Sequence, residues 1–378
     1  MEQMYESNFY ICGMQHISHL GATSIRNLVD TYGGPFEAWC ALQDRKKLQS
    51  IASIKAQKIS AIMKAATPEL LASLRDLLEK NHITWITYLD VLFPARLQEI
   101  YNPPAVIFVR GNIDLLKDKT FKIAMVGARN CSDYGRSVAR YIGKELAHYD
   151  VAVISGGARG IDSYSHEGVL AGKGQVIIVM GCGLDIIYPP ENKRLFDRVI
   201  ENNGLLLSEY TPGTPPSGKH FPQRNRIIGG LSTVVIVVEA KASSGSLITA
   251  DMANNEGREV YVVPGSILNN IAEGNHWLIR QGAHVLTKVQ DLVEDYNLCI
   301  RSVDTKGSNV ISYNSESNIV LQSLSTDRCT TVDVLIKVTG IPLQRLQSIL
   351  LDLEMNRYIE KIQSRGYIKI TRSESIVH

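Results

Sequence analysis

The sequence predicts an α/β protein: a Rossmann-like, doubly wound and mostly parallel sheet, preceded by a helical region and followed by a winged helix. Three observations carry this. First, β-branched runs recur at 122–126, 151–154, 176–180, 205–207, 234–238 and 260–263, each followed by a glycine-rich turn and a helical stretch. These runs are apolar on both faces, as strands are when helices cover both sides of a sheet. Second, residues 1–78 carry apolar side chains at helical spacing, interrupted by short glycine turns. Third, residues 317–378 read as two helices around a Gly-Ile-Pro turn and then two short alternating strands.

Composition bounds what the chain can do. Its 378 residues, 44% hydrophobic and 21% charged, allow a large core and more than one domain. The formal net charge is only +2, so binding to a polyanion has to come from local clustering of cations. Six cysteines are scattered with no C-x-x-C pair, which argues against a disulfide framework or a zinc ribbon. His16 and His19 lie three apart with no carboxylate or cysteine directly beside them, and no metal site and no cofactor is expected. No apolar run has the roughly 18–20 residues of a membrane span, and the acidic start is unlike a signal peptide, so a cytoplasmic protein is expected.

In chain order, Leu20 to Ser24 form a glycine turn that feeds an amphipathic helix carrying Ile25, Leu28 and Val29, and Gly33-Gly34 stops it before Pro35. This resembles a degenerate helix-hairpin-helix. The strand and helix region follows over 79–300, with extra strands expected at 104–109 and 284–286. Residues 301–316 are polar and aperiodic and read as a linker. In the tail, the second amphipathic helix has a single Arg and ends acidic, which is poor chemistry for reading base edges.

In a parallel α/β sheet, ligands sit beyond the carboxyl ends of the strands. The turns expected there share one chemistry: Gly127-Ala128-Arg129-Asn130, Ser155-Gly156-Gly157-Ala158-Arg159-Gly160, Gly181-Cys182-Gly183, Pro212-Gly213, and Ser243-Ser244-Gly245-Ser246. Glycines let consecutive backbone N–H groups form a nest for an anion. The segment K-H-F-P-Q-R-N-R (219–226) adds three cations beside rings able to stack on a base. Arg129, Arg159, Lys219, Arg224 and Arg226 on one edge point to a phosphate-rich ligand. No G-x-x-x-x-G-K-[ST] is present, so P-loop hydrolysis is unsupported, and the first turn is not G-x-G-x-x-G. Asp162, Asp185, Glu209 and Glu239 are candidates for acid–base cleavage of a glycosidic bond. The plainer expectation is helix capping for the first two and ion pairs with arginine for the last two.

The motifs V-G-A-R-N-C-S-D-Y-G (126–135), S-G-G-A-R-G-I-D (155–162), G-C-G-L-D-I-I-Y-P (181–189), S-E-Y-T-P-G (208–213), F-P-Q-R-N-R-I-I-G-G-L-S (221–232), V-E-A-K-A-S-S-G-S-L-I-T-A (238–250) and V-P-G (263–265) stand in order. Together they resemble the DNA-processing protein A (DprA/Smf) family. One departure is the stretch 88–94, which matches the family's aspartate–tyrosine–proline segment loosely, and the flanking modules match by pattern only. The resemblance implies an extended Rossmann fold with a sterile-alpha-motif-like helical domain before it and a winged helix after it. It further implies a non-catalytic, homodimeric binder of single-stranded DNA that delivers RecA onto incoming strands in natural transformation. The binding roles it implies fall on Arg129, Ser155, Gly156, Gly157, Lys219, Phe221, Arg224, Asn225 and Arg226, to which Arg159 is added from the sheet-edge turns. A dimer or partner surface is expected near Trp277, Leu278 and Ile279. Two other readings are a nucleotide-processing enzyme of the lysine-decarboxylase-like group, whose P-G-G-x-G-T-x-x-E signature is absent, and a duplex-DNA regulator acting through the winged helix.

Overall fold

The computed structural model describes residues 2–242, 244–301, 315–325, 329–355, 358–362 and 366–369. The chain divides into two units, Met1–Ser302 and Val303–His378. In the first, nine strands among the described residues form one sheet: β1 (Thr84–Thr87), β2 (Val106–Gly111), β3 (Phe121–Gly127), β4 (Val151–Ser155), β5 (Gln175–Met180), β6 (Leu205–Ser208), β7 (Val234–Glu239), β8 (Glu259–Val262) and β9 (His284–Val285). Their order is β1-β2-β6-β5-β4-β3-β7-β8-β9. Strands β3 to β9 pair in parallel, while β2 runs antiparallel to both β6 and β1. All six expected core strands are present, as are both extra ones. The edge strand β1 was not expected, because T-W-I-T is short and no glycine turn follows it.

The winding explains where a site can form. From β3 the chain moves outward through β4 and β5 to β6, then returns by the helix His220–Leu231 to lay β7 against the opposite side of β3. The reversal opens a crevice at the carboxyl ends of β3 and β7. Period-two alternation fixes the two faces. Ile123 and Met125 of β3 enter one core with Ile236 of β7, while Ala124 and Val126 enter the other with Val235 and Val237. The N-terminal helices belong to the first of these cores: Ile11, Leu28, Leu48 and Leu74 are fully or almost fully buried in the cluster that also holds Phe108 and Ile123. Asn8 also donates to Asp90 at 2.8 Å. The helix Pro68–Lys80 runs through the expected boundary at residue 78, and packing is continuous across it.

The second unit is a winged helix. The helices Ser315–Gln322, Val332–Thr339 and Leu343–Met355 enclose a small core of Leu335, Leu346, Ile349 and Leu353. The hairpin β10 (Ile359–Ile362) and β11 (Gly366–Lys369) forms the wing. Gly340, at φ +70°, closes the helix before the Ile341-Pro342 turn. The single arginine of the last helix, Arg345, is paired with Glu316 at 2.9 Å. Of the expected linker, residues 302–314 lie outside the described residues, as does Ile370 of the expected second wing strand.

Candidate nucleic-acid interface

The turn after β3 is fixed by its neighbours. A Cβ on Gly127 would lie 2.6 Å from Ile161 and 2.9 Å from the Glu239 carbonyl, so only glycine fits there. Ala128 N–H donates to that carbonyl at 2.7 Å, which ties the ends of β3 and β7 together. Ser132 caps the next helix by accepting from Gly135 N–H at 3.0 Å. The loop between them leaves Arg129 exposed.

The turn after β4 has a different occupant from the one expected. Its nest already holds a carboxylate from the same chain: Asp162 Oδ2 accepts from Gly156 N–H at 3.1 Å and from Ala158 N–H at 3.3 Å. The Ser155 hydroxyl is buried and donates to the Met125 carbonyl at 2.6 Å. Gly157, at φ +61°, packs against Phe196 and Ile178, where a Cβ would lie within 2.8 Å of both side chains.

On the helix His220–Leu231, Phe221, Arg224, Asn225 and Ile228 recur at helical spacing and line the crevice together. Arg224 is nevertheless only 4% exposed. Its Nη1 donates to the carbonyl oxygens of Gly156 (3.0 Å) and Val179, and its Nε donates to Asn225 Oδ1 at 3.2 Å. Burial pulls this guanidinium down to about 10, against the opposing pull of Asp162, and it stays cationic at neutral pH. Burial likewise pushes the Asp162 carboxyl up, with Arg224 countering. Arg226 lies off the crevice face. It pairs with Glu209 at 2.6 Å and donates to the Asn102 and Gln223 carbonyls at 3.0 and 3.3 Å.

A cleft of ≈ 410 Å³ is lined by Arg129, Tyr188, Phe221, Pro222, Asn225, Gly245 and Ile248, among others. A neighbouring cleft of ≈ 360 Å³ shares Arg129, Phe221 and Asn225 with it and extends over Ser244, Ser246 and Thr249. The helix Gly245–Asn255 starts at this wall, so its unpaired backbone N–H groups belong to the same locality. Ser243, expected in this turn, lies outside the described residues. At the centre, the Arg129 guanidinium sits 5.2 Å from the Phe221 ring centroid. The Tyr188 ring stacks on Phe221 at 5.5 Å with an interplanar angle of 26°. A Cβ at Gly181 would lie 2.8 Å from Phe221, so this glycine makes room for a ring, a role different from the anion nest expected of its turn.

The expected residues thus separate. Arg129, Phe221 and Asn225 meet in one cleft, and Gly156, Arg159 and Arg224 line its continuation beside Tyr188. Arg159 is exposed and paired with Glu191. Lys219 is exposed at the helix start, next to Gly218 of the cleft wall. Ser155 and Arg226 are turned into the protein. The four sheet-edge carboxylates are all engaged. Asp185 accepts from Gly213 N–H at 3.0 and 2.9 Å, and Glu209 holds Arg226. Glu239 accepts from Ser132 N–H (2.7 Å) and Oγ (2.6 Å), where an arginine had been expected. Of the expected partner surface, Trp277 is 49% exposed, Leu278 is buried in the core and Ile279 is partly buried against it. Sequence reasoning missed Tyr188, although its Tyr-Pro-Pro setting after a strand marks a turn at the same sheet edge.

A sequence profile described as DNA recombination-mediator protein A matches residues 84–297, and a DprA winged-helix profile matches 312–362. The chain is 47% identical over 208 residues to DNA processing protein DprA of Streptococcus pneumoniae, covering 55% of this chain and 72% of that one. It is 36% identical over 286 residues to Protein Smf of Escherichia coli, covering 74% and 76%. Among solved structures, DNA processing protein A from Streptococcus pneumoniae aligns with a TM-score of 0.65 at 34% identity, over 78% of this chain and 99% of that one. The Helicobacter pylori protein, whose structure describes its single-stranded DNA binding mode, aligns with a TM-score of 0.51 at 30% identity, over 57% and 96%.

Proposed function

Because the chain belongs to the DNA recombination-mediator protein A (DprA/Smf) family, we propose that it binds single-stranded DNA in the Arg129–Phe221 cleft as a non-catalytic recombination mediator. One observation carries the reading: an exposed guanidinium, a partly exposed aromatic ring and a helix start share one cleft at the sheet's switch point. A polynucleotide offers that cleft a phosphate for the cation and a base for the ring. In this division of labour Arg129 meets phosphate, with Lys219 and Arg159 at the rim. Phe221 stacks on a base, and Asn225 offers an amide beside it. Ser155, Gly156, Gly157 and Arg224 set the shape of the wall, and Arg226 braces the helix His220–Leu231 from its other side. The engaged state of all four edge carboxylates supports a binder over a hydrolase.

The same reading extends to delivery of RecA onto the bound strand during natural transformation, in the cytoplasm. It also includes a homodimer formed through the β9 edge. Val285 of β9 is 43% exposed, Trp277 on the helix Glu273–Arg280 that precedes β9 is 49% exposed, and Ile267 and Leu268 stand 88% and 90% exposed in the loop after β8. The test is fluorescence anisotropy with a labelled oligo(dT) and a duplex of equal length, followed by RecA filament assembly on the protein-bound strand. Preference for the single strand, weakened in both Arg129→Ala and Phe221→Ala, is expected. Wild-type affinity in both variants would overturn the site.

A further inference from the structure

We infer that the single strand runs on out of the cleft along a row of cations between the helices Asp133–Leu146 and Ile161–Ala171. This rests on the strand-binding reading above, but the surface lies outside the clefts already described. Arg136, Arg140 and Lys144 stand at four-residue spacing on the first helix and so share one face. A helix rises about 1.5 Å per residue, which makes this a line of positive charge about 12 Å long. The second helix lies close beside it. A Cβ on Gly143 would lie 2.4 Å from the Ser165 carbonyl, and one on Gly168 would lie 2.3 Å from the Arg140 carbonyl, so these glycines let the two helices touch. That contact sets the Tyr164 ring beside two guanidiniums, 5.2 Å from Arg136 and 4.5 Å from Arg140. Both helices start at the cleft: Ser132, three residues after Arg129, caps the first, and Arg159 lies two residues before the second. Like charges repeated at i, i+4 repel, and an ordinary solvated face avoids this by mixing signs. Acids neutralise part of the row, since Arg136 pairs with Asp133 at 3.4 Å and Arg140 with Glu167 at 2.6 Å. Yet these arginine side chains stay 43% and 47% exposed, against 11% for Arg226 in its pair with Glu209. Such exposed pairs contribute little and give way to a phosphate. Lys144 is exposed with no ion pair among the described residues, and the buried Arg136 Nε has no hydrogen-bond partner among them. A row of cations leading away from Arg129 fits a linear polyanion, and that continuity makes the occupant the strand already held in the cleft.

The experiment compares oligo(dT) of about 6 nucleotides, enough for the cleft, with oligo(dT) of about 20, enough to run on between the helices. Both are titrated against the full chain carrying Arg136→Ala, Arg140→Ala and Lys144→Ala together. The short strand should bind as it does to wild type. The long strand should bind roughly tenfold more weakly at low salt. Its slope of log affinity against log salt should flatten by about 2, at about 0.7 for each of three phosphates. Lysine in place of both arginines should keep most of that slope, because charge alone sets it. Glu167→Gln, which removes the competing carboxylate from Arg140, should tighten the long strand and leave the short one unchanged. Wild-type affinity for the long strand in the triple variant, or an equal loss on both lengths, overturns the inference. A loss confined to a duplex of the longer length overturns it too. Failure of the parent reading looks different: wild type binds neither length, or Arg129→Ala keeps full affinity for the short strand.

Discussion

The turn after β3 and the helix His220–Leu231 converge on one crevice, yet they put their arginines to opposite uses. Arg129 is exposed, with the Phe221 ring as its close neighbour. Arg224 and Arg226 are held by backbone carbonyls and by Glu209, with Arg224 almost wholly buried. All three belong to segments dense in charge, but a cation whose donors are already satisfied has little left for a phosphate. Charge counted along a sequence and charge available to a ligand are therefore different quantities. Here the difference separates a contact residue from the braces that shape its cleft.

The largest effect that could break this contrast is on Arg224. Replacing it by Ala leaves the Gly156 and Val179 carbonyls without their donor and the buried Asp162 without its cation. A loss of about 3–5 kcal/mol is expected by urea denaturation, of the size seen when one member of a buried pair is removed. Stability equal to wild type would show that Arg224 is no brace.

A second buried base, His166, sharpens the contrast, because no hydrogen-bond partner meets either ring nitrogen among the described residues. Burial lowers it to about 3, whereas the unfolded imidazole titrates near 6.5. Between those values the unfolded chain binds the extra proton. Its contribution is thus complete above pH ~6.5 and declines as pH falls, by ~2 kcal/mol at pH 5. Denaturation midpoints should drop from pH 7 to pH 5 in wild type and drop less in His166→Leu; equal slopes would contradict this. Smaller still is the Arg226–Glu209 pair, whose side chains are 11% and 10% exposed. A double-mutant cycle with Arg226→Ala and Glu209→Ala should give a coupling of about 1–2 kcal/mol in stability. Coupling near zero would free Arg226 for a ligand.

Much of the fold was legible because β-branched runs and glycine turns report directly on a buried parallel sheet. The ends of β3, β4 and β7 fall within a residue or so of where the patterns placed them. β1 escaped for lack of a flanking turn signal. At the site, the motifs located the right edge, and helical spacing alone already groups Phe221, Arg224, Asn225 and Ile228 on one face with Arg226 off it. Burial of Arg224 was not legible, because it depends on Asp162, on a carbonyl of β5 and on one in the turn after β4 meeting it in space. The glycine at 181 was read as an anion nest, whereas its reason is the Phe221 ring pressed against it.

The most direct test of the account is the salt dependence of single-strand affinity, compared between Arg129→Ala and Arg226→Ala. Each phosphate contact contributes about 0.7 to the slope of log affinity against log salt on a single strand. Arg129→Ala should flatten the slope by about that amount while leaving stability within about 0.5 kcal/mol of wild type. Arg226→Ala, provided it remains folded, should keep the wild-type slope. An unchanged slope in Arg129→Ala, or a flattened one in Arg226→Ala, would contradict the assignment of the open and the engaged arginine.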